Sequence, residues 1–328
     1  MEKNPIILID WLSFSSTIES LTSMIDLLGI KDVTWEELDG FNGYQSRLYY
    51  DGISIHHNHK GKILDVIKNH ERVWVEMSGA GCRAYETHGA NDWKNLFAYI
   101  IENGEDIYVN RLDVAFDEYE GKIDIQDIYN DTVNGNYTSE NRVVKYTGGT
   151  KGKSVEHGTR ASRFMIRIYD KAAERESSEK FWTRIEIQMR DANARAFIDK
   201  IVNENQNIKT MFFGVLKNYL NYREPKERDT NKTRWQLKDY WLWLLGDAEK
   251  ITLWSNPGTE YNLKKLDLYV FKTSGNATNA AMNIYGIDEF REKIRIRNTI
   301  KNPKYDELVF EIRGDTIGYD RMQEILSG

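Results

Sequence analysis

Cysteine is almost missing from this chain of 328 residues, which contains a single one, Cys82. One thiol cannot form an internal disulfide, and it cannot build a zinc site of several cysteines. The sequence also has no run of about 18 apolar residues, and its N-terminus lacks the charged start and the cleavage site of a signal peptide. We therefore expect a protein of the cytoplasm, without a membrane partner.

An excess of basic residues is missing as well. The net charge is −6 and the sequence pI is near 5.7, whereas a nucleic-acid-binding domain is expected to carry a basic surface. The cations are instead concentrated locally, because residues 145–175 hold eight Lys and Arg against three acids, a balance of +5. Charges act over a Debye length of about 8 Å, so a local basic surface can bind phosphates on an acidic protein.

Hydrophobic periodicity places strands and helices along the chain. The strand patterns cover 6–14, 47–57, 72–78 and 108–117, followed by two more around residues 169 and 186. The helical patterns cover 17–28, 92–103, 124–132 and 191–204, with a chain break predicted at Gly79 and Gly81. Strands and helices do not alternate strictly, so the predicted fold class is α+β, a mixed or antiparallel sheet with helices on one face and the other face open.

Beyond residue 208 the strand signal nearly vanishes. Helical patterns follow at 211–220, 233–245, 263–271, 276–285 and 288–297. The sequence therefore predicts two domains, a larger one over residues 1–220 and an α-helical C-terminal one over 221–328.

Three predicted strands each have one apolar face and one face of reactive side chains. Side chains alternate across a strand, so the apolar residues of 111–117, 162–171 and 182–188 point to one side and the polar residues to the other. The polar set consists of Arg111, Asp113, Asp117, Arg167, Tyr169, Lys171, Arg184 and Glu186. The three strands could thus form one wall with a tyrosine, acids and cations.

This combination of side chains favours phosphoryl chemistry. A tyrosine hydroxyl titrates near pH ~10, so it attacks phosphorus only where cations stabilise the phenolate and the developing charge. Asp113 and Glu186 are candidates to hold a hard divalent ion, Mg²⁺ or Mn²⁺, while Arg167 and Lys171 would bind the DNA backbone around it. The pattern indicates DNA strand transfer through a phosphotyrosine at Tyr169.

A structural interpretation of the same strands stays open at this point. Tyrosine is a strong strand former, and Arg–Glu pairs across strands are ordinary stabilisers of sheets. Ion pairs of that kind look the same in a sequence as functional sites do. Any one strand favours the structural interpretation, and the coincidence of three strands favours a site.

The chain also resembles a known family. Four segments follow the order of the motifs of the Rep_trans replication initiation factors, a family that includes rolling-circle plasmid initiators and relaxases of integrative conjugative elements. These segments are RLDVAFD (111–117), GTRASRF (158–164), RIYDKAAER (167–175) and WTRIE (182–186). Further matching segments are IDWLSF (9–14), SGAGCR (78–83) and LGDAEKI (245–251).

The resemblance implies a site-specific, metal-dependent nickase with a fold related to the HUH nickases. Its tyrosine, matched here by Tyr169, attacks a phosphodiester at an origin, stays linked to the 5′-phosphate and leaves a free 3′-OH. The matching acids are Asp113 and Glu186, and Asp117 is either a further metal ligand or a solvated acid. Origin DNA, single-stranded or cruciform at the nick site, is the implied partner, together with a host helicase and a homodimer.

The remaining candidates concern DNA binding and the histidines. The predicted DNA-binding residues are Arg111, Lys151, Lys153, Arg160, Arg163 and Arg184. The glycine-rich segment 148–153 is predicted to form a loop that closes over the strand, or a solvated connector. His57 and His59 have the spacing of metal ligands on one strand face, but the resembled family relies on carboxylates, which favours contact with DNA or solvent.

A rival function belongs to another class of protein. A catalytically silent origin-binding protein could keep the fold and recruit a helicase. The presence of Tyr169 and of both acids argues against this alternative, and a covalent protein–oligonucleotide adduct would distinguish the two.

Overall fold

In the computed structural model of this protein, the described residues are 3–17, 20–58, 72–150, 152–253, 270–271 and 274–297. The chain divides into two units, Met1–Trp254 and Ser255–Gly328. The boundary predicted after residue 220 falls inside the first unit, where a short strand, Leu220–Tyr222, pairs with Tyr137–Ser139.

The strands of the first unit are mostly joined in one sheet. Their bounds are β1 Ile6–Ser16, β2 Glu36–Asp39, β3 Ser46–Tyr50, β4 Ile53–His57, β5 Val73–Met77, β6 Ile107–Glu118, β7 Tyr137–Ser139, β8 Val144–Gly149, β9 Gly152–His157, β10 Phe164–Asp170, β11 Thr183–Arg190 and β12 Leu220–Tyr222. Ten of them form a sheet in the order β2-β3-β4-β5-β1-β6-β11-β10-β9-β8, and each neighbouring pair is antiparallel. The predicted α+β class is confirmed, with an antiparallel sheet.

The helices of the first unit cover one face of this sheet. Their bounds are α1 Leu21–Leu28, α2 Gly79–His88, α3 Trp93–Glu102, α4 Ile125–Val133, α5 Lys171–Glu174, α6 Ala192–Asn203, α7 Ile208–Tyr219 and α8 Asp239–Leu245, and the second unit contains α9 Gly275–Tyr285 and α10 Ile287–Arg297. Strand residues such as Leu12, Val114 and Ile187 are buried in one core with helix residues such as Phe97 and Phe197. Burying a side chain of this size stabilises the fold by roughly 1.5–3 kcal/mol. None of the described helices combines the length and apolar character needed to cross a bilayer.

The segment 47–57, predicted as one strand, is a hairpin. β3 and β4 pair across Asp51 and Gly52, whose φ angles of +40° and +86° are both positive. Two such residues form the turn that matches the twist of paired strands, and Asp-Gly is a preferred sequence for it. The alternation of apolar residues continues through both strands, and for this reason it predicts one long strand. The turn residues Asp51 and Gly52 divide that segment into two strands.

The chain break predicted at Gly79 and Gly81 is also wrong, because these residues begin α2. The Ser78 side chain caps this helix by accepting a hydrogen bond from the Gly81 N–H at 3.4 Å. A Cβ at position 81 would lie 2.3 Å from the carbonyl oxygen of Gly52. Glycine is therefore required here by the close approach of α2 to the β3–β4 turn.

Four residues of the glycine-rich segment 148–153 belong to a second hairpin. β8 and β9 pair through Gly148 with Lys153 and through Gly149 with Gly152. At these four positions a strand pair stands where the glycines predicted a loop that closes over the DNA or a solvated connector. Lys151 lies outside the described residues.

In the second unit the described residues form α9 and α10, close to the helices predicted at 276–285 and 288–297. Gly286 separates the two helices with a φ of +77°, a conformation that glycine adopts at little cost. Of the helix predicted over 263–271, only residues 270–271 are described.

A buried histidine ties three elements of the first unit together. His157 on β9 is fully buried, and its Nε2 lies 3.1 Å from the Tyr222 hydroxyl on β12. That hydroxyl is in turn 2.7 Å from Thr132 Oγ1 on α4. Burial lowers the pKa of His157 to about 3, so the imidazole is neutral in the folded protein.

We predict that His157 makes the fold sensitive to acid. The unfolded chain takes up a proton on His157 below pH ~6.5 while the folded chain does not, so stability falls as the pH drops from 6.5 towards 3. At pH 5 this loss is about 2 kcal/mol relative to pH 8. Urea unfolding of the native chain and of His157→Gln measures it, and the variant should lose less stability on acidification. Equal pH dependence of the two proteins would contradict the prediction.

Candidate active site

The face of the sheet opposite the core carries the polar side chains of the three central strands. Facing residues of neighbouring antiparallel strands share a side of the sheet and lie ~4.5–5.5 Å apart. The rows across β6, β11 and β10 are Asp117–Arg184–Tyr169, Ala115–Glu186–Arg167 and Asp113–Gln188–Met165. The pairing register therefore brings together the tyrosine, acids and cations that the sequence placed on one wall.

Tyr169, near the end of β10, is only 3% exposed. Its hydroxyl donates to Glu186 Oε2 at 3.3 Å and accepts from Lys171 Nζ at 3.2 Å. The Arg167 guanidinium lies 3.9 Å from the centre of the ring, a cation–π contact. Burial and the charge of Glu186 raise the pKa of the Tyr169 hydroxyl above its usual range. The phenol is thus protonated here, with its proton directed at a carboxylate.

Lys171 is fixed beside the tyrosine by the turn that follows β10. Asp170 caps α5, because its carboxylate accepts from the backbone N–H three residues later at 2.8 Å. Lys171 is buried and forms an ion pair with Glu174. The ammonium group is consequently held at the Tyr169 hydroxyl, where it would stabilise a phenolate.

Asp113 and Glu186 are buried acids close to each other. Burial raises the pKa of Asp113 to about 7, with the charges of Glu186 and Asp10 adding to the rise and the hydrogen bonds from Arg111 opposing it. Burial and Asp10 also raise the pKa of Glu186. Arg111, predicted to bind DNA, donates from Nε to both Asp113 oxygens at 2.9 and 3.1 Å and lies 4.4 Å above the Trp11 ring. Mutual repulsion of the acids favours a cation among them.

Arg184 connects two further acids. Its Nε and Nη2 donate to the two oxygens of Asp117 at 2.6 and 2.7 Å, and its Nη1 is 2.8 Å from Asp10 Oδ1. Asp117 is 1% exposed, so it is not a solvated acid. Both Asp117 oxygens accept hydrogen bonds from Arg184. Arg184 was predicted to bind DNA, but its guanidinium is paired with Asp117 and Asp10.

Asp10 is the site residue that the sequence reasoning missed. The register between β1 and β6 shifts between Ile9 and Trp11, so Asp10 is the extra residue of a β-bulge. A bulge breaks strict alternation, and it allows Asp10 and Trp11 to reach the same polar face. An acid inside the apolar segment IDWLSF (9–14) was the signal that could have identified it.

The donor set suits a hard divalent ion with few protein ligands. Within the described ranges, no three His, Cys, Asp or Glu side chains are grouped as a ready ligand set. Magnesium in phosphoryl-transfer sites is commonly held by one or two carboxylates together with water and substrate phosphates. Asp113 and Glu186 meet that requirement, and Asp10 is close enough to raise the pKa of both.

The histidines of β4 are arranged differently from the prediction. His57 is buried and lies on the side of Ile53 and Ile55, which belong to the core, so it neither contacts solvent nor faces the acids. His59 lies outside the described residues. His56, on the side of Ser54, is the histidine of this strand that faces the open side of the sheet.

The remaining predicted DNA-binding residues flank the site. Arg160 and Arg163 are exposed in the connection between β9 and β10. The Arg160 carbonyl accepts from Gln188 Nε2 at 3.1 Å, which places this connection near the Asp113 row. Lys153 on β9 lies 6.0 Å from the ring of Tyr129.

The site thus combines a tyrosine, a lysine and two acids, buried together on one face of an antiparallel sheet, and the class of protein follows from two family matches. Residues 107–295 match the family described as replication initiation factor, Rep_trans, and residues 6–102 match the rolling circle replication initiation protein N-terminal domain. The first match covers more than half of the chain, and the chain belongs to the Rep_trans replication initiation factor family. The predicted family is thereby confirmed.

Two relatives show how far the similarity extends. A candidate DNA relaxase of Bacillus subtilis (strain 168), NicK, is 22% identical over 253 residues, which are 71% of this chain and 68% of the relative. The solved structure of a rolling circle replication initiator protein from Geobacillus stearothermophilus is 25% identical, with a TM-score of 0.66 over 77% of this chain and 100% of that one. The fold that the resemblance implied is therefore confirmed.

The pairing of Arg184 with Asp117 leads to a prediction about stability. Asp117→Ala leaves a buried guanidinium with Asp10 alone, and breaking a buried pair in this way costs about 3–5 kcal/mol. Urea unfolding in the absence of metal measures it, with Glu204→Ala, which removes the more exposed Lys200–Glu204 pair, as a control that should change stability by less than about 1 kcal/mol. Native stability of Asp117→Ala would contradict the prediction and show that the Asp117–Arg184 pair is not needed to compensate the buried guanidinium.

Proposed function

We propose that this chain is a site-specific, metal-dependent DNA nicking and closing enzyme that starts rolling-circle replication or conjugative transfer. Tyr169 is the nucleophile, and it stays linked to the 5′-phosphate of the cleaved strand. The observation that carries the proposal is the position of its hydroxyl between Lys171 Nζ and Glu186 Oε2. The proposed substrate is origin DNA. The proposed location of the activity is the cytoplasm.

The two contacts of the hydroxyl suit its conversion into a nucleophile. As the Tyr169 oxygen forms its bond to phosphorus, the proton moves towards Glu186 and the ammonium of Lys171 stabilises the negative charge on oxygen. The bond from phosphorus to the 3′-oxygen breaks, and that oxygen takes up a proton from water and leaves as a 3′-OH. In the closing step the 3′-OH attacks the phosphotyrosine, and the phenol is restored.

Cations around the tyrosine bind the phosphate that reacts. Arg167 lies against the Tyr169 ring and within 3.8 Å of Glu156 and Glu174, so a phosphate group can compete with these acids for it. Asp113 and Glu186 would hold a divalent ion, Mg²⁺ or Mn²⁺, with Asp117 as a further candidate ligand. Such an ion, when bound, draws charge from a phosphate oxygen.

The DNA surface is proposed to continue from this site over the predicted cations. Arg160 and Arg163 are exposed beside the Asp113 row, and Lys151 and Lys153 belong to the same segment of local positive charge. A host helicase and a second copy of the chain are further proposed partners. Their support is the family to which the chain belongs.

A catalytically silent origin-binding protein is the second candidate function. It would need the fold and the DNA surface but no buried contact between a tyrosine, a lysine and a carboxylate. Burying such groups is unfavourable because they lose hydration. DNA binding alone does not require them to be buried together, whereas the nicking reaction does. Adduct formation separates the two functions directly.

We predict that Tyr169→Phe retains origin binding and forms no covalent adduct, because the ring and its packing remain while the attacking oxygen is lost. The measurement is a denaturing gel of a labelled origin oligonucleotide incubated with the chain and Mg²⁺. Tyr146→Phe is the matched control, since Tyr146 is a tyrosine of the edge strand β8, two strands from β10, and is 48% exposed. A labelled protein band from Tyr169→Phe, or its loss from Tyr146→Phe, would overturn the assignment.

A second prediction concerns the acids. Asp113→Asn keeps the size of the side chain but removes a charge from the proposed metal site, and we expect nicking to slow by roughly 10²–10³-fold. Asp199→Asn on α6, on the covered face of the sheet, should nick at the native rate. Initial rates across a Mg²⁺ series compare the three proteins. Native rates for Asp113→Asn at every Mg²⁺ concentration would show that Asp113 holds no ion.

A further inference from the structure

A cluster of aromatic rings lies on the open face of the sheet at some distance from Tyr169. It consists of Phe41, Tyr44, His56 and Trp74, and we call it the Trp74 platform. Phe41 and Tyr44 come from the connection between β2 and β3, while His56 and Trp74 face each other on β4 and β5. None of these four residues belongs to the proposed nicking site.

Trp74 is stacked with two of the other rings, and Phe41 meets the cluster edge-on. His56 and Trp74 are stacked with centroids 4.3 Å apart, and Tyr44 is stacked on Trp74 at 6.1 Å. Phe41 meets His56 edge-on at 4.4 Å and is 40% exposed. Exposed aromatic faces of this kind are platforms on which unpaired bases stack.

Polar atoms of the platform lack partners within the described part of the chain. Both ring nitrogens of His56 and Nε1 of Trp74 are buried without a hydrogen bond, and His56 is fully buried. Leaving a buried polar group unpaired costs about 1–3 kcal/mol. Burial and the neighbouring Arg47 lower the pKa of His56 to about 4, so the ring is neutral and adds no charge of its own to the platform.

Arginines border the platform on two sides. The Arg47 guanidinium lies 5.4 Å from the Phe41 ring and has a buried Nε without a partner in the described residues. Arg72 is exposed and close enough to Tyr44 to lower the pKa of its hydroxyl against the larger effect of burial. Burial raises the pKa of Glu76, the acid on this side of β5, and the charges of Arg111 and Arg47 oppose that rise. Aromatic rings alternating with cations are the pattern of single-strand binding grooves.

The platform is continuous with the nicking site along the open face. Glu76 pairs with Ser13 of β1, and Ser13 pairs with Arg111 of β6, which binds Asp113. Four strand spacings separate β5 from β10, a lateral distance of about 19 Å at ~4.8 Å per strand. A strand cleaved at Tyr169 could therefore pass over Trp11 and Arg111 to reach the platform.

We propose that the Trp74 platform binds the bases of single-stranded DNA that continues from the nick, with rings stacked on Phe41 and Tyr44 and phosphates on Arg47 and Arg72. This proposal rests on the proposed nicking function for the path of the strand. A duplex would not fit as well, because its bases are already stacked on each other and their faces are hidden. A purely apolar protein segment would not use the positive charge of Arg47 and Arg72 beside the rings.

The test is the affinity of the full chain for fluorescent oligo(dT) of about 16 nucleotides in EDTA. Without metal, binding is measured separately from cleavage. Phe41→Ala/Tyr44→Ala should weaken binding by at least about tenfold, since each stacked base is worth that order of affinity. Phe41→Tyr/Tyr44→Phe preserves the rings and should restore native affinity.

A matched control uses an aromatic ring elsewhere. Trp243 on α8 is 41% exposed and has Lys122 Nζ 4.7 Å from its ring, so Trp243→Ala removes a similar ring and should leave the affinity unchanged. Arg72→Gln, at an exposed position, should lower the slope of log affinity against log salt by about 0.7. It does so without altering the packing of the platform.

The outcomes separate the two proposals. Native affinity of Phe41→Ala/Tyr44→Ala, or an equal loss in Trp243→Ala, would overturn the platform even if the native chain forms its adduct. An equal loss of affinity for a blunt duplex would overturn base stacking. Weakened oligo(dT) binding in a chain that forms no adduct with Mg²⁺ would support the platform and contradict the nicking function.

Discussion

The pairing register of β6, β11 and β10 is the constraint on which the site depends. A slip of one residue would exchange Val114 and Ile187 of the core with Asp113 and Glu186 of the open face. Such a slip would expose the apolar side chains to water and bury the acids against the helices, and both changes would destabilise the fold. The hydrophobic core therefore fixes the site, although no residue of the site belongs to it.

Charge compensation decides what the site can bind. Asp117 is bound by Arg184 and Asp113 by Arg111, so part of the acidic charge is already neutralised within the protein. Buried pairs of this kind contribute little net stability because both partners lose hydration, but they hold side chains in defined positions. The repulsion left between Asp113 and Glu186 makes this point of the face favourable for a cation, next to a hydroxyl that a lysine already contacts.

Much of the central sheet could be predicted because alternation is a local property. The strands around Asp113, Tyr169 and Glu186 and their outward faces follow from a period of two, and the structure has them as β6, β10 and β11. The elements that alternation mispredicts are those that depend on turn chemistry or on contact with a distant segment. The Asp51–Gly52 turn divides one apparent strand, and the packing of Gly81 on Gly52 places a helix where glycines suggest a break.

The sequence by itself determined the fold class, the family resemblance and which side of each central strand is polar, because these depend on residues close together in the chain. Only the tertiary structure decided which acid meets which arginine, that a bulge brings Asp10 to the site, and that His56 rather than His57 faces the open side. The Trp74 platform also exists only in the folded chain. Partner choice and burial depend on strands distant in sequence, and alternation along one strand contains no information about its neighbours.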